Sequence, residues 1–342
     1  MKTKTALALA ALTSLVAVDI AFAQPQQPQQ PGQPGAGPGG GRFGGPGGPG
    51  GRFGGPGGPG GRGGPGGGRG AMPQGDPNVP VVERGGFGPS QMEIAKFRDD
   101  IYILRSQASG NTTAFVADNG VLVVDTKTTG EYERIAELLK TVTDQPVRYV
   151  INTHFHPDHT GGNAGMEGVG AAIIATTNTR ARLAQTAQQG LPVITFDDRM
   201  EVKWGKWTLK LYYFGRGHTD GDLVIQIPEE NLVMTGDLFA GWGPSIRLID
   251  YNGGGSLVEW PGTLTKAAAL DFDVVIPGHS GVTDRGQMQG YIDENRRMLD
   301  MIRMLNGAGR TPQEIRAAVQ MEFGNMAFVV LPNVQSVLDE LN

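Results

Sequence analysis

The chain has no cysteine in 342 residues. That excludes disulfides, thiolate metal sites and a cysteine nucleophile, though it does not by itself fix the compartment. Histidine is nearly as scarce, at five. After the N-terminus no run is apolar enough to cross a bilayer, which takes about 20 such residues. Glycine and proline are abundant, at 55 and 23. Most of that excess lies before residue 75. The remaining stretch, of about 265 residues, has ordinary globular composition and can bury a substantial core without staples.

Residues 1–23 read as a secretory signal peptide. Lys2 and Lys4 start it, residues 6–18 are a short apolar run, and Ala21-Phe22-Ala23 is a cleavage site of the A-x-A kind, so the mature chain would begin at Gln24. Asp19 is out of place so near the cut, and an uncleaved anchor is the alternative. Residues 24–75 repeat a ten-residue unit, first at Gly41 and again from Gly51. Phe43 and Phe53 interrupt the glycine at every third place that a collagen helix requires. Such a segment cannot bury enough apolar surface to offset its ordering entropy and reads as a disordered tether. Its Arg-Gly-Phe repeats leave contact with nucleic acid or cell-wall polymers open. Arg42, Arg52, Arg62 and Arg69 give it +4 with no acid. The leader carries +1, so of a net charge of −5 the remaining residues hold −10. A domain that acidic is not expected to bind polyanions.

Residues 76–342 are expected to form one domain, its folded part starting between Val81 and Met92. Apolar runs predict strands at 97–104, 113–116, 121–124, 147–151, 223–227, 232–234 and 274–276, with an alternating one at 209–213. Helices are expected over 178–189 and 284–305. A further helix is expected after a capping box at Thr128-x-x-Glu131, with Tyr132, Ile135, Leu138 and Leu139 at helical spacing. Pro332 and the apolar positions beyond it suggest a small closing element. Strands and helices mix throughout, so sheets covered by helices are the simplest way to bury the set, an α/β (α+β) class.

The chemistry lies in Thr153-His154-Phe155-His156-Pro157-Asp158-His159-Thr160-Gly161-Gly162. Three imidazoles and a carboxylate occupy six positions just after a strand. Alternation points His154 and His156 the same way, and the following turn presents Asp158 and His159 in a second direction. One motif can so feed two adjacent metals. Imidazole and carboxylate suit zinc, and also iron or manganese. The other two histidines, His218 in Gly-Arg-Gly-His-Thr-Asp-Gly-Asp and His279 in Ile-Pro-Gly-His, each sit where a strand gives way to a glycine-permitted turn. So does Asp237, in Thr-Gly-Asp-Leu.

This order of motifs, H-x-H-x-D-H, then G-x-G-H-T, T-G-D and P-G-H, resembles the metallo-β-lactamase superfamily across residues 92–342. The resemblance implies an αββα sandwich of two mixed sheets flanked by helices, with the metals at one edge. By position it gives His154, His156 and His218 to a first metal and Asp158, His159 and His279 to a second. Asp237 would bridge them, and Asp125 would orient the ligands from behind. Two divalent ions would lower the pKa of bound water towards 7, and the resulting hydroxide would attack an acyl carbon, with Asp158 holding or relaying the proton.

Best-known class B β-lactamases place a cysteine, and others a serine, where this chain has Asp237. The aspartate looks more like ester- and thioester-cleaving members such as hydroxyacylglutathione hydrolases and lactonases. The expected function is therefore an exported, zinc-dependent dinuclear hydrolase of a small ester, lactone, thioester or amide. A periplasmic β-lactamase is the alternative, followed by a tethered metal-binding protein or a phosphodiesterase. Nuclease members share the ligand set, but the acidic domain offers them no basic exosite. Phe155, Phe239, Trp242, Tyr251 and Trp260 are candidate walls of an apolar cleft, and Arg247 and Lys127 are candidates to hold a substrate carboxylate.

Overall fold

The structure, a computed structural model, describes residues 91–106, 109–241, 249–324 and 334–342. The leader, the glycine-rich segment, the domain boundary at 76 and Pro332 all lie outside the described residues.

Seven strands form the first sheet in sequence order: β1 (Glu93–Arg98), β2 (Ile101–Arg105), β3 (Thr112–Ala117), β4 (Gly120–Val124), β5 (Val147–Ile151), β6 (Ala172–Thr176) and β7 (Ile194–Phe196). The first four are antiparallel hairpins, and β4 to β7 run parallel. Six more form the second sheet: β8 (Arg199–Trp204), β9 (Trp207–Tyr213), β10 (Leu223–Ile227), β11 (Leu232–Gly236), β12 (Val274–Pro277) and β13 (Thr283–Asp284). Here only β11 and β12 are parallel. Residues 97–104 do not form one strand. Asp99 and Asp100 turn the chain between β1 and β2, with Asp100 left-handed at φ 64, a conformation aspartate tolerates better than most residues.

Period-two burial shows how the layers stack. On β4, Leu122 and Val124 enter the core between the sheets, while Val121 and Val123 face the opposite way. On the second sheet Leu223, Ile225, Leu232 and Met234 face inward, and Val224 and Val233 outward. A strand buried on both faces has no need of polar alternation. The outer face of the first sheet is covered by α1 (Tyr132–Leu139) and α3 (Asn163–Gly168), through Ile135, Leu138, Leu139 and Met166. The outer face of the second is covered by α5 (Trp260–Ala268), α6 (Arg285–Gly307), α7 (Pro312–Phe323) and α8 (Val334–Leu341). Helix, sheet, sheet and helix therefore make four layers, the αββα sandwich expected from the sequence. The sheets are also tied by Trp204 Nε1 donating to the Phe115 carbonyl at 3.0 Å and by an Arg98–Glu230 ion pair at 2.9 Å.

Local signals explain the helix ends. Asp284 caps α6 by accepting from Gln287 N at 2.8 Å, and Thr311 with Glu314 forms a full capping box on α7. The expected box at Thr128 is only half made. Glu131 Oε2 accepts from Thr128 N at 3.2 Å, but the helix starts from Glu131 with no side-chain cap. α4 (Thr177–Gln185) stops four residues before the expected 189. Ala187 turns left-handed at φ 54, and Gln188 is drawn off to donate to the Thr160 carbonyl at 2.8 Å.

Candidate metal centre

The carboxyl ends of the parallel strands are where the chemistry gathers, as is usual in sheets of this kind. Asp125 follows β4. β5 leads into Asn152 and Thr153 and then into the motif, in which α2 (Pro157–Thr160) carries Asp158 and His159. Asp237 follows β11, His279 follows β12, and His218 lies between β9 and β10. His154, His156 and His218 form one group, Asp158, His159 and His279 a second, and His154, His159 and Asp237 a third that overlaps both. Within each group the ligand atoms lie inside 4.8 Å of one another. All seven donors predicted from sequence are thus brought to one place.

The hydrogen bonds decide which nitrogen each ring offers. Thr153 Oγ1 donates to Asp125 Oδ2 at 2.7 Å, so it accepts from His154 Nδ1 at 3.1 Å. His159 Nδ1 donates to the same Asp125 oxygen at 2.8 Å, and His156 Nε2 donates to Asp250 Oδ2 at 2.9 Å. The outer nitrogen of each of these three rings is therefore taken up by a hydrogen bond, which makes the inner nitrogen the one that would face a bound metal ion. His154 Nε2 and Asp237 Oδ1 are fully buried with no hydrogen-bond partner, a cost of about 1–3 kcal/mol each unless something is bound. His156 Nδ1 lies 2.8 Å from His218 Nε2, and His159 Nε2 lies 3.3 Å from His279 Nε2. Two nitrogens about 2.0–2.1 Å from one tetrahedral zinc would sit about 3.3 Å apart. The donor set fits divalent metal.

Asp237 reaches both groups. Its Oδ1 is 3.4 Å from His159 Nε2, and its Oδ2 is 3.4 Å from His279 Nε2 and 3.7 Å from His218 Nε2. A cradle holds it there, because a Cβ at Gly278 would fall 2.0 Å from Asp237 Oδ1. Burial opposes ionisation of Asp237, but His279 and His159 hold its carboxyl well below the usual range. Burial and the neighbouring rings His159, His156 and His218 push His154 well down. For His159 burial is outweighed by Asp237 and Asp125, which drive it well up. Asp158, a third exposed, sits 3.2 Å from His279 Nε2 and 3.5 Å from His159 Nε2. Those contacts keep it ionised below its ordinary value despite its partial burial.

Three non-glycine residues around the centre are left-handed: Asp125 and Lys127 at φ 61 and Ser280 at φ 61. Backbone strain of this kind persists where the surroundings over-determine it.

Residues 106–279 match the sequence profile of the Metallo-beta-lactamase superfamily. The chain belongs to the metallo-beta-lactamase superfamily. Among curated relatives, the Metallo-beta-lactamase type 2 of Elizabethkingia meningoseptica is 26% identical over 219 residues, 59% of this chain and 84% of that one. The 2,4-dinitroanisole O-demethylase subunit alpha of Nocardioides sp. is 29% identical over 177 residues, 49% of this chain and only 52% of its own length. A solved metallo-beta-lactamase from Pontibacter korlensis superposes with a TM-score of 0.55 at 21% identity, over 60% of this chain and 99% of that one. This likeness bears on the fold. As a superfamily member, the chain is a metal-dependent hydrolase with histidine and aspartate groups able to hold metal.

The other sequence candidates in this superfamily member fall in different places. Phe155 lies beside the centre, its ring 4.7 Å from that of His156. Phe239 is not a cleft wall. It is 3% exposed and packs on Tyr291 at 5.0 Å in the outer core. Trp260 is likewise buried, its Nε1 donating to the Leu238 carbonyl at 2.9 Å. Tyr251 is half-buried and serves its loop, accepting from Leu257 N at 3.2 Å and donating to Glu340 at 3.1 Å. Lys127 cannot hold a substrate, because its ammonium is fully buried and donates to the Gly110 carbonyl at 2.7 Å. Burial lowers its pKa to about 7. Trp242 and Arg247 lie outside the described residues.

The sequence reading missed Asp250. Besides holding His156, it accepts from Gly253 N at 2.8 Å, and its own backbone N donates to the His218 carbonyl at 2.9 Å. The hydrogen bond from His156, the largest influence, lowers its pKa to about 2. The loop it sits on is tied to the C-terminal helix. Glu340 on α8 accepts from Tyr251, from Ser256 at 3.1 Å and from Arg216 at 3.0 Å, two residues before His218. Asp222 has a related task. It accepts from Thr219 N and Oγ1 and so closes the turn that carries His218.

Proposed function

We propose that this superfamily member is an exported hydrolase with two divalent metal ions, zinc first, acting on a small ester, lactone, thioester or amide. The observation that carries the reading is the convergence of seven donor side chains at one place, with the outer nitrogens of His154, His156 and His159 taken up by hydrogen bonds and the buried His154 Nε2 and Asp237 Oδ1 left without a partner. His154, His156 and His218 would hold one ion, and Asp158, His159 and His279 the other. Asp237 lies within reach of both. Ions bound there would supply Lewis acidity and an activated water at neutral pH.

The chain's own residues do the rest. Asp125, Thr153 and Asp250 fix ring orientation and tautomer, so no reorganisation is needed when substrate arrives. Asp158 is the one carboxylate of the set that is substantially exposed, and it is held ionised beside His279. It is placed to take a proton from the nucleophile and return it to the leaving group. With no cysteine in the chain, Asp237 is the donor at the position where thiolate-bearing relatives differ. This favours acyl substrates other than β-lactams.

Export rests on residues 1–23. No helix among the described residues is long and apolar enough to cross a membrane. A second reading, a β-lactamase, is favoured by the names of two relatives, from Elizabethkingia meningoseptica and Bacteroides fragilis.

The test is metal content and a panel of acyl substrates measured on one sample, with a chromogenic cephalosporin included. Two ions per chain and turnover of an ester, lactone or thioester are expected. Fewer than two ions with no acyl turnover would overturn the proposal. Turnover of the cephalosporin alone would replace it with the second reading.

A further inference from the structure

The two donor groups are held by different parts of the chain. His156 and His218 lean on the loop around Asp250. Asp158 and His159 are 120 or so positions from His279 and share no element with it, yet a short segment between β2 and β3 touches both. Gly110 N donates to the Asp158 carbonyl at 3.2 Å. Its α-carbon lies so close to His159 that an added Cβ would fall 2.3 Å from Cε1 of that ring. Lys127 Nζ, buried, holds the Gly110 carbonyl from the other side. The next residue turns to His279. Asn111 N donates to the Gly278 carbonyl at 2.7 Å, and Asn111 Nδ2 donates to the carbonyls of Pro277 at 2.9 Å and Ser280 at 3.0 Å. These three carbonyls bracket His279, and Arg105 adds a fourth contact, to Ser280 O at 2.7 Å.

A loop that merely connects two strands has no need to bond both neighbouring ligand segments. We propose that Gly110 and Asn111, seated by Lys127, are a clamp that sets the spacing of Asp158 and His159 against His279, and thereby the affinity of one ion and not the other. The proposal rests on the two-metal reading above. Asn111 is a positioning residue. Its backbone N–H and its side-chain amide together bond three carbonyls of the His279 loop. Groups that orient metal ligands typically change affinity by about 10- to 100-fold when removed.

The experiment is stepwise titration of metal-free full-length protein with cobalt followed by absorbance, and with cadmium followed by cadmium NMR, which resolves a three-histidine site from a mixed one. The wild type is expected to fill two sites. Asn111→Ala and Asn111→Leu are expected to weaken the mixed, carboxylate-bearing site by 10- to 100-fold and leave the three-histidine site unchanged. Asp250→Ala is expected to do the reverse. Asn111→Leu keeps the volume and loses the donors, so wild-type binding by it would overturn the proposal. Equal weakening of both sites by Asn111→Ala would also overturn it, since that is what a general packing role predicts. If the Asn111 variants do not fold, Lys127→Met, which releases Gly110 while filling its cavity, takes their place with the same expected and refuting results. A wild type that binds fewer than two ions sinks the two-metal reading itself, and the clamp with it.

Discussion

Replacing Gly278 by alanine adds one methyl group at the most crowded point of the centre. That carbon would lie 2.0 Å from Asp237 Oδ1, 2.6 Å from Gly236 C and 2.8 Å from Asp237 N. Cβ atoms essentially never approach another heavy atom within 3.0 Å, so Asp237 must give way by about 1 Å. Rotating its side chain alone does not relieve the clash, because two of the three atoms met are backbone. The carboxylate would then leave its position between His159, His218 and His279. A misplacement of about 1 Å costs about 100-fold in rate where geometry is critical. Overpacking adds about 1–3 kcal/mol of lost stability. Gly290 on the exposed face of α6 is the internal control, since a methyl there meets nothing within 4 Å. Gly290→Ala is expected to stabilise by about 0.5–1 kcal/mol, as helix-interior glycines do. The assay is kcat/KM on the best acyl substrate, with metal content and Tm on the same preparations. Gly278→Ala at wild-type activity and full metal content would show that Asp237 has no fixed place in the mechanism.

Asp125→Asn leaves an amide where one carboxylate now accepts from Thr153 and His159. kcat/KM is expected to drop about 10- to 100-fold, and an unchanged value would refute its orienting role. Chelation would remove whatever ions the histidine and aspartate groups hold. Each site held at a hundredfold excess over Kd contributes about 2.7 kcal/mol, so Tm should fall by roughly 5–10 °C per site; an unshifted melting curve would argue against metal binding by the native fold. Burial, the dominant cause, raises the pKa of Asp222 to about 7 from 3.8. The native metal-free protein therefore keeps a proton that the unfolded chain has lost. Stability should fall as pH rises from about 4 to 7, by at most about 1.4 kcal/mol per pH unit. Asp222→Asn should flatten that slope in thermal melts, and a slope that survives the substitution belongs to another group.

The metal-donor motif could be read because its geometry is local. His154, His156, Asp158 and His159 are placed by one strand end and one turn, so spacing alone says where they point. The strands around them were readable for a similar reason: Leu122, Val123 and Val124 are buried on both sheet faces and form unbroken apolar runs. Asp250 was opaque because its partner His156 is 94 positions away and its setting, Asp-Tyr-Asn-Gly-Gly-Gly, reads as any turn. Lys127 was misread because a lysine in a polar stretch is ordinarily solvated. Only the fold reveals that its stem and head are enclosed beside Gly110. Phe239 follows a ligand loop in sequence, but the short helical turn after Asp237 swings it to the outer core. The break between β1 and β2 carried its own signal in Asp99-Asp100, hidden by the apolar residues on either side.

The place of Glu340 has a practical corollary. A polyhistidine tag or fusion partner joined after Asn342 would begin three positions from Glu340, the carboxylate that steadies Tyr251, Ser256 and Arg216. Anything that pries α8 loose would release the stretch bearing Asp250 and dull the enzyme from some distance, with every metal-binding side chain still intact. Purification handles for kinetic work on this protein belong elsewhere on the chain.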